Sequence, residues 1–242
     1  MRPEGGGRAR RYASLIGLGC LLGAATVGGT TFLSPAPTSA SCSTQHQNVV
    51  AQDSSGFHYG NKGQVYVNDS SVINNLHDAL YRSLFIFIDN RNWVEVGWGA
   101  GPNNITGQAY PTVYAYWVNG GSPGQFSYKF VQEGTNDNFR VENNGDIGIW
   151  AYYFDGESPP FTYSPIMTFN KGLPLANSEH YNTCDSLWTH MYGLNYRNVL
   201  GDWSSSYGDL ECNENTASPD WFLYKNSNSE MHVYSSPSGT LC

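Results

Sequence analysis

The chain has 242 residues, 12 basic and 20 acidic side chains and a formal net charge of −8, a balance that repels phosphate backbones and anionic membrane surfaces and argues against nucleic-acid binding. Gly, Tyr, Asn and Ser are abundant while Lys, Leu and Ala are sparse, a profile that speaks against a helical bundle and for short strands joined by turns.

In chain order, the first forty residues read as an export leader. Arg2, Arg8, Arg10 and Arg11 give a basic start, Leu15 to Val27 is apolar without charge, and Ser34-Pro35-Ala36-Pro37-Thr38-Ser39-Ala40 supplies small residues for cleavage after Ala40. A retained anchor fits less well, because Gly17, Gly19, Gly23, Gly28 and Gly29 interrupt the run and it is short for a span of about 20 residues. Gly17-Leu18-Gly19 is a poor lipobox ahead of Cys20, and Arg10-Arg11 lacks the residues that follow in a twin-arginine signal. The expectation is a secreted domain over residues 41–242, with no membrane attachment after cleavage. Four of the basic residues and one of the acidic lie in the leader, so the remainder carries −11.

Strands are expected at Gln64–Val67, Leu84–Asp89, Trp93–Gly99, Thr112–Val118, Gln125–Gln132, Phe139–Glu142, Ile147–Phe154, Ile166–Phe169, Trp221–Tyr224 and Met231–Tyr234, separated by Gly-, Asn- and Pro-rich turns. Val72, Ile73, Leu76, Leu80 and Leu84 recur at helical spacing after the caps Asp69-Ser70-Ser71, which predicts one short helix over 71–82. The region 184–194 suits strand or helix equally. The fold class expected is all-β: a single antiparallel β-sandwich of jelly-roll or concanavalin-like type with one short helix.

Cys42, Cys184, Cys212 and Cys242 form an even set in an oxidising compartment, and three pairings are possible. Cys184–Cys212, closing a polar loop, and Cys42–Cys242, joining the ends, are favoured. No CxxC pair exists, and His46, His58, His77, His180, His190 and His232 show no ligand spacing, so no metal and no cofactor is expected. Asn136-Asp137-Asn138 and Asn143-Asn144-Gly145-Asp146 carry oxygen ligands that suit calcium but also suit turns, without EF-hand spacing. Asn68 and Asn104 begin glycosylation sequons. There is no Gly-x-Ser-x-Gly, His-Glu-x-x-His or phosphate-loop motif.

Side chains alternate between faces along a strand. Val94, Val96 and Trp98 therefore share one face, and Trp93, Glu95 and Gly97 the other. Val113, Ala115 and Trp117 oppose Tyr114 and Tyr116; Ile149, Ala151 and Tyr153 oppose Trp150, Tyr152 and Phe154. If these strands are neighbours, Trp93, Tyr114, Tyr116 and Trp150 form an aromatic floor around Glu95, suited to sugar rings or peptide side chains. The plainer reading is aromatic core on both faces, yet a carboxylate in mid-strand between valines is costly to bury unless it is paired or used.

The run Glu95-Val96-Gly97-Trp98, followed after a Gly/Asn/Pro loop by Tyr114-Ala115-Tyr116-Trp117, resembles the Glu-x-Gly-Trp and Tyr-Trp segments of the neprosin-like secreted glutamic peptidases. The resemblance covers residues 93–118. It implies a β-sandwich enzyme that cleaves proteins at acidic pH with two glutamates. Glu95 would be the first and Glu179 the second, although Asn177-Ser178 stands where the family has glycines. One carboxylate would take a proton from the attacking water while the other, protonated, steadies the oxyanion. The alternative is a non-catalytic sandwich that binds extracellular glycan or peptide through the same aromatic face.

Overall fold

A computed structural model of the chain describes residues 47–68, 79–101, 105–143, 145, 148–180, 189–214 and 222–234. Residues 1–40, expected to be an export leader, together with Cys42, Cys184 and Cys242, the first eight residues of the expected helix and Asn104 lie outside the described residues.

The described residues form a two-layer antiparallel β-sandwich. Sheet one runs, edge to edge, β12 (Leu210–Glu214), β1 (Gln47–Asp53), β10 (Leu173–His180), β3 (Leu80–Asp89), β4 (Asn92–Ala100), β5 (Thr112–Asn119) and β6 (Ser122–Phe130). Sheet two runs β13 (Phe222–Ser227), β14 (Glu230–Tyr234), β11 (Thr189–Arg197), β2 (Gly60–Tyr66), β7 (Asn136–Asn143), β8 (Trp150–Phe154) and β9 (Thr162–Tyr163).

Local chemistry sets the hairpins of sheet one. Between β3 and β4, Asp89 Oδ1 accepts from the Arg91 amide at 2.8 Å and from Asn92 Nδ2 at 3.0 Å. Between β5 and β6 the turn needs positive φ at both central residues, which Gly120 (62°) and Gly121 (88°) adopt without strain. Arg91 Nη2 then donates to the Gly120 carbonyl at 2.7 Å, tying the two hairpins together.

The core follows from alternation. Leu80, Leu84, Ile86, Val94, Val96, Trp98, Val113 and Ala115 of sheet one meet Val65, Phe139, Val141, Trp150, Tyr152, Met191, Met231 and Val233 of sheet two, all buried. Polar pins cross this interior. Asn61 donates to the carbonyls of Phe85 (2.9 Å) and Leu175 (2.8 Å), and accepts from the Tyr207 hydroxyl at 2.8 Å. Trp98 Nε1 donates to the Tyr66 carbonyl at 3.1 Å.

Two expectations are corrected. Leu80-Tyr81-Arg82, the end of the predicted helix, opens β3, and there is no helix among the described residues. A spacing of four places residues on one face in either a helix or a strand, so Leu80 and Leu84 fit both. Residues 166–169 are not a strand; they cap the sandwich, with Met167 buried and its amide bonded to the Gly148 carbonyl at 2.7 Å.

Candidate active site

The register of sheet one places both candidate glutamates on its outward face. Glu95 lies opposite Phe85 and Tyr116, and Glu179 lies opposite Tyr81. Phe85 and Tyr81 are four residues apart on β3, so all these side chains project the same way. Glu179 is therefore in a central strand of the sheet, not in a surface loop.

Between the two glutamates runs a row of cross-strand partners, Asn177–Ser83–Gly97–Tyr114. Gly97 is the bare position in it. A Cβ there would come within 2.1 Å of the Arg82 carbonyl oxygen and 2.6 Å of Ser83 Cβ. The glycine thus permits close approach of β3 and β4 and leaves the floor open between the two acids. Ser83 Oγ and Asn177 Oδ1, both in this row, are buried without a hydrogen bond of normal geometry. Such atoms mark a place for an ordered water or a ligand.

Glu95 is only 8% exposed and accepts a short hydrogen bond from the Tyr114 hydroxyl, which is itself buried. Burial pushes its carboxyl up to about 8; the Tyr114 donor works against this, the charge of Glu179 adds to it, and nearby Ser83 opposes it. Tyr114 is held well above the usual phenol range, first by burial and then by the Glu95 charge. At neutral and acidic pH both groups keep their protons. The rise at Glu95 is thus chiefly desolvation, with the second glutamate contributing less.

Glu179 is the more accessible acid. Asn177 Nδ2 donates to its Oε2 at 3.3 Å, and its backbone carbonyl accepts from Arg82 Nη1 at 3.2 Å. Arg82 reaches it from the core side, where its guanidinium stands 6.0 Å from the Trp98 ring.

A loop roofs the site. The Ile105 amide donates to the Tyr81 hydroxyl at 2.6 Å, and the Ile105 carbonyl accepts from Gln125 Nε2 at 2.9 Å. Tyr81 stands on β3 and Gln125 on β6, so the Ile105 backbone, bonded to both, lies over β4 and β5. This cover helps to explain the dryness of Glu95 and Tyr114.

The aromatic residues separate into two groups. Trp93 and Tyr116 lie on the outward face with ring centroids 6.2 Å apart, flanking Glu95. Trp150 does not join them. It belongs to sheet two and is fully buried in the core, its Nε1 donating to the Phe169 carbonyl at 3.2 Å. The expected four-residue floor is corrected accordingly: β8 is not a neighbour of β4 and β5, and its Trp150 face is the inward one. Sequence reasoning missed Tyr81, Ser83 and Asn177, and also the rim pair Tyr110 and Phe130, 64% and 61% exposed with rings 6.1 Å apart. Phe130 lies opposite Thr112, in the row of Glu179 and Tyr81.

No protein-family model matches the sequence, and no curated protein matches it either. Among solved structures, a scytalidoglutamic peptidase with a peptide-based transition-state analogue matches 81% of this chain and all of its own at TM-score 0.55 and 8% identity. A second structure of scytalidoglutamic peptidase, with a transition-state analogue inhibitor, matches the same shares at TM-score 0.50 and 10% identity. A carbohydrate-binding module, CBM66 from Bacillus subtilis, matches 56% of this chain and 78% of its own at TM-score 0.37 and 13% identity, too distant to bear on the question. The fold of this chain is glutamic-peptidase-like.

Proposed function

We propose that the chain is a secreted glutamic peptidase of neprosin-like type, exported by residues 1–40 and braced by disulfides, that hydrolyses peptide bonds with Glu95 and Glu179. The observation that carries this reading is the placement of a dry, protonated Glu95 and an accessible Glu179 on one face, either side of the bare Gly97 floor. The neprosin-like assignment rests further on Glu95-Val96-Gly97-Trp98 and Tyr114-Ala115-Tyr116-Trp117.

The roles follow from the environments. Glu179 takes a proton from a water held near Ser83 and Asn177, and the water oxygen bonds to the amide carbon. Protonated Glu95 donates to the carbonyl oxygen as it gains charge, and Tyr114 fixes the acid's orientation. As the tetrahedral centre collapses, the C–N bond breaks and Glu179 returns its proton to the leaving amine. No metal is needed. Trp93, Tyr116, Phe130 and Tyr110 line the groove and suit apolar side chains of an extended peptide.

Digestion of an unfolded protein substrate tests the proposal. Glu179→Gln and Glu95→Ala should each lower kcat/KM by about 10²–10³ with the fold intact, the scale of losing a general base or an oxyanion donor. Unchanged cleavage in Glu179→Gln rejects it. The exposed rim pair Tyr110–Phe130 favours one other reading, a non-catalytic groove for glycan or peptide. In that case the parent chain binds but does not cleave.

A further inference from the structure

The outward face of sheet two holds a cluster that the peptidase reading leaves unused. His190 on β11 stands directly opposite His232 on β14, and Glu230, two residues before His232, shares their face. Met191, Met231 and Val233, the alternating neighbours, point into the core and so force these three outward. The sequence hides the arrangement because His190 is forty residues from Glu230 and only strand register unites them.

Glu230 Oε1 lies 2.9 Å from His190 Nε2 and 3.1 Å from His232 Nε2, and the three ligand atoms all fall within 4.8 Å of one another. Ligands about 2.0–2.2 Å from a first-row dication stand roughly 3–3.5 Å apart, close to the spacing here, and the stacked imidazoles would turn out of their parallel planes so that both Nε2 lone pairs face the ion. The second Glu230 oxygen accepts from Asn226 Nδ2 at 2.6 Å, which fixes the carboxylate. The imidazoles stack at 4.3 Å, and Tyr192 continues the stack 4.8 Å from His190. Side-chain exposures of 23%, 20% and 27% for His190, His232 and Glu230 leave the cluster open to an ion from solution.

We propose that His190, His232 and Glu230 bind a divalent transition-metal ion of the zinc class, with water completing the coordination. Two imidazole nitrogens and one carboxylate oxygen are the donor set of such ions, not of calcium or magnesium. The ion cross-links β11 to β14. Because it sits on the outward face of sheet two, it is independent of the Glu95–Glu179 groove on sheet one.

The test is a Zn²⁺ titration of the chelator-stripped full chain against a chromophoric competitor, followed by thermal melts with and without excess Zn²⁺. One ion per chain at micromolar affinity or tighter is expected, with a higher Tm in its presence. His190→Ala and His232→Ala should each weaken binding at least tenfold. Affinity weaker than about 100 μM, or equal affinity in the double variant, overturns the proposal. Should the variants fail to fold, histidine-selective ¹⁵N NMR of the parent chain decides: Zn²⁺ must shift the Nε2 resonances of these two histidines, and a shift confined to others refutes the site.

Discussion

At Glu95 two opposing effects meet. Ionising the carboxyl in place would strand a charge away from water, and that cost outweighs the hydrogen bond from Tyr114, so the folded group titrates at about 8 instead of near 4.5. The unfolded chain loses this proton at the ordinary value. Between the two pH values the folded chain therefore holds a proton that the unfolded chain has released. Stability falls with rising pH over this window, by about 1.4 kcal/mol per unit, and levels off above about 8. Glu95→Gln removes the dependence. Variant and parent should melt alike at pH 4, with the variant more stable by a few kcal/mol at pH 8; a constant difference across pH 4, 6 and 8 would contradict the assignment. Glu95 was legible in the sequence because a carboxylate amid alternating valines demands a reason. Ser83 and Asn177 were not: small polar residues carry no signature until the register sets them in one row.

At the scale of elements, β4 was the most readable part of the chain. Its alternation separated Val94, Val96 and Trp98 from Glu95 and Gly97, and both sets face as expected. β10 was unreadable because Pro174 and the polar stretch Asn177-Ser178-Glu179 look like a loop. It is a strand because both neighbours, β1 and β3, pair with it along its length. Trp150 was misplaced for a related reason: alternation assigns side chains to two faces but not to a sheet, and β8 pairs with β7 and β9. The sensitive point of the site is the β3–β4 contact at Gly97. Gly97→Ala drives a methyl group against the Arg82 carbonyl and Ser83, and should cost about 3 kcal/mol through forced separation of the strands. Urea unfolding measures this, and a loss under about 1 kcal/mol would mean that the strands part easily.

The described residues form two sheets whose apolar inner faces meet, with Glu95 and Glu179 on one outward face and the His–Glu–His cluster on the other. Apolar contact fixes the sheets together without fixing their offset; directional bonds such as those of Asn61 and Trp98 do that. Asn61 reaches from β2 to the Phe85 and Leu175 carbonyls on the strands that carry Ser83 and Glu179, and Tyr207 holds it in place. Asn61→Leu leaves these buried partners without their donor and acceptor, at a cost of about 2–4 kcal/mol measured by thermal or urea unfolding. An unchanged midpoint would show that the sheets hold together without the Asn61 bonds. The sequence conveyed the all-β class through composition and turn spacing, but the pairing of the fourteen strands among the described residues depends on contacts far apart in the chain.

The central claim is that a protonated Glu95 acts as a hydrogen-bond donor to the reacting carbonyl while Glu179 acts as the base. The most direct measurement is the pH dependence of kcat/KM on a quenched peptide substrate for the parent chain and for Glu95→Gln, whose amide donates a hydrogen bond at any pH. The parent should lose activity as pH rises through about 8, where Glu95 gives up its proton. Glu95→Gln should keep activity within about tenfold of the parent below that pH and show no loss there. A parent profile without a break near 8, or the same break in Glu95→Gln, would contradict it.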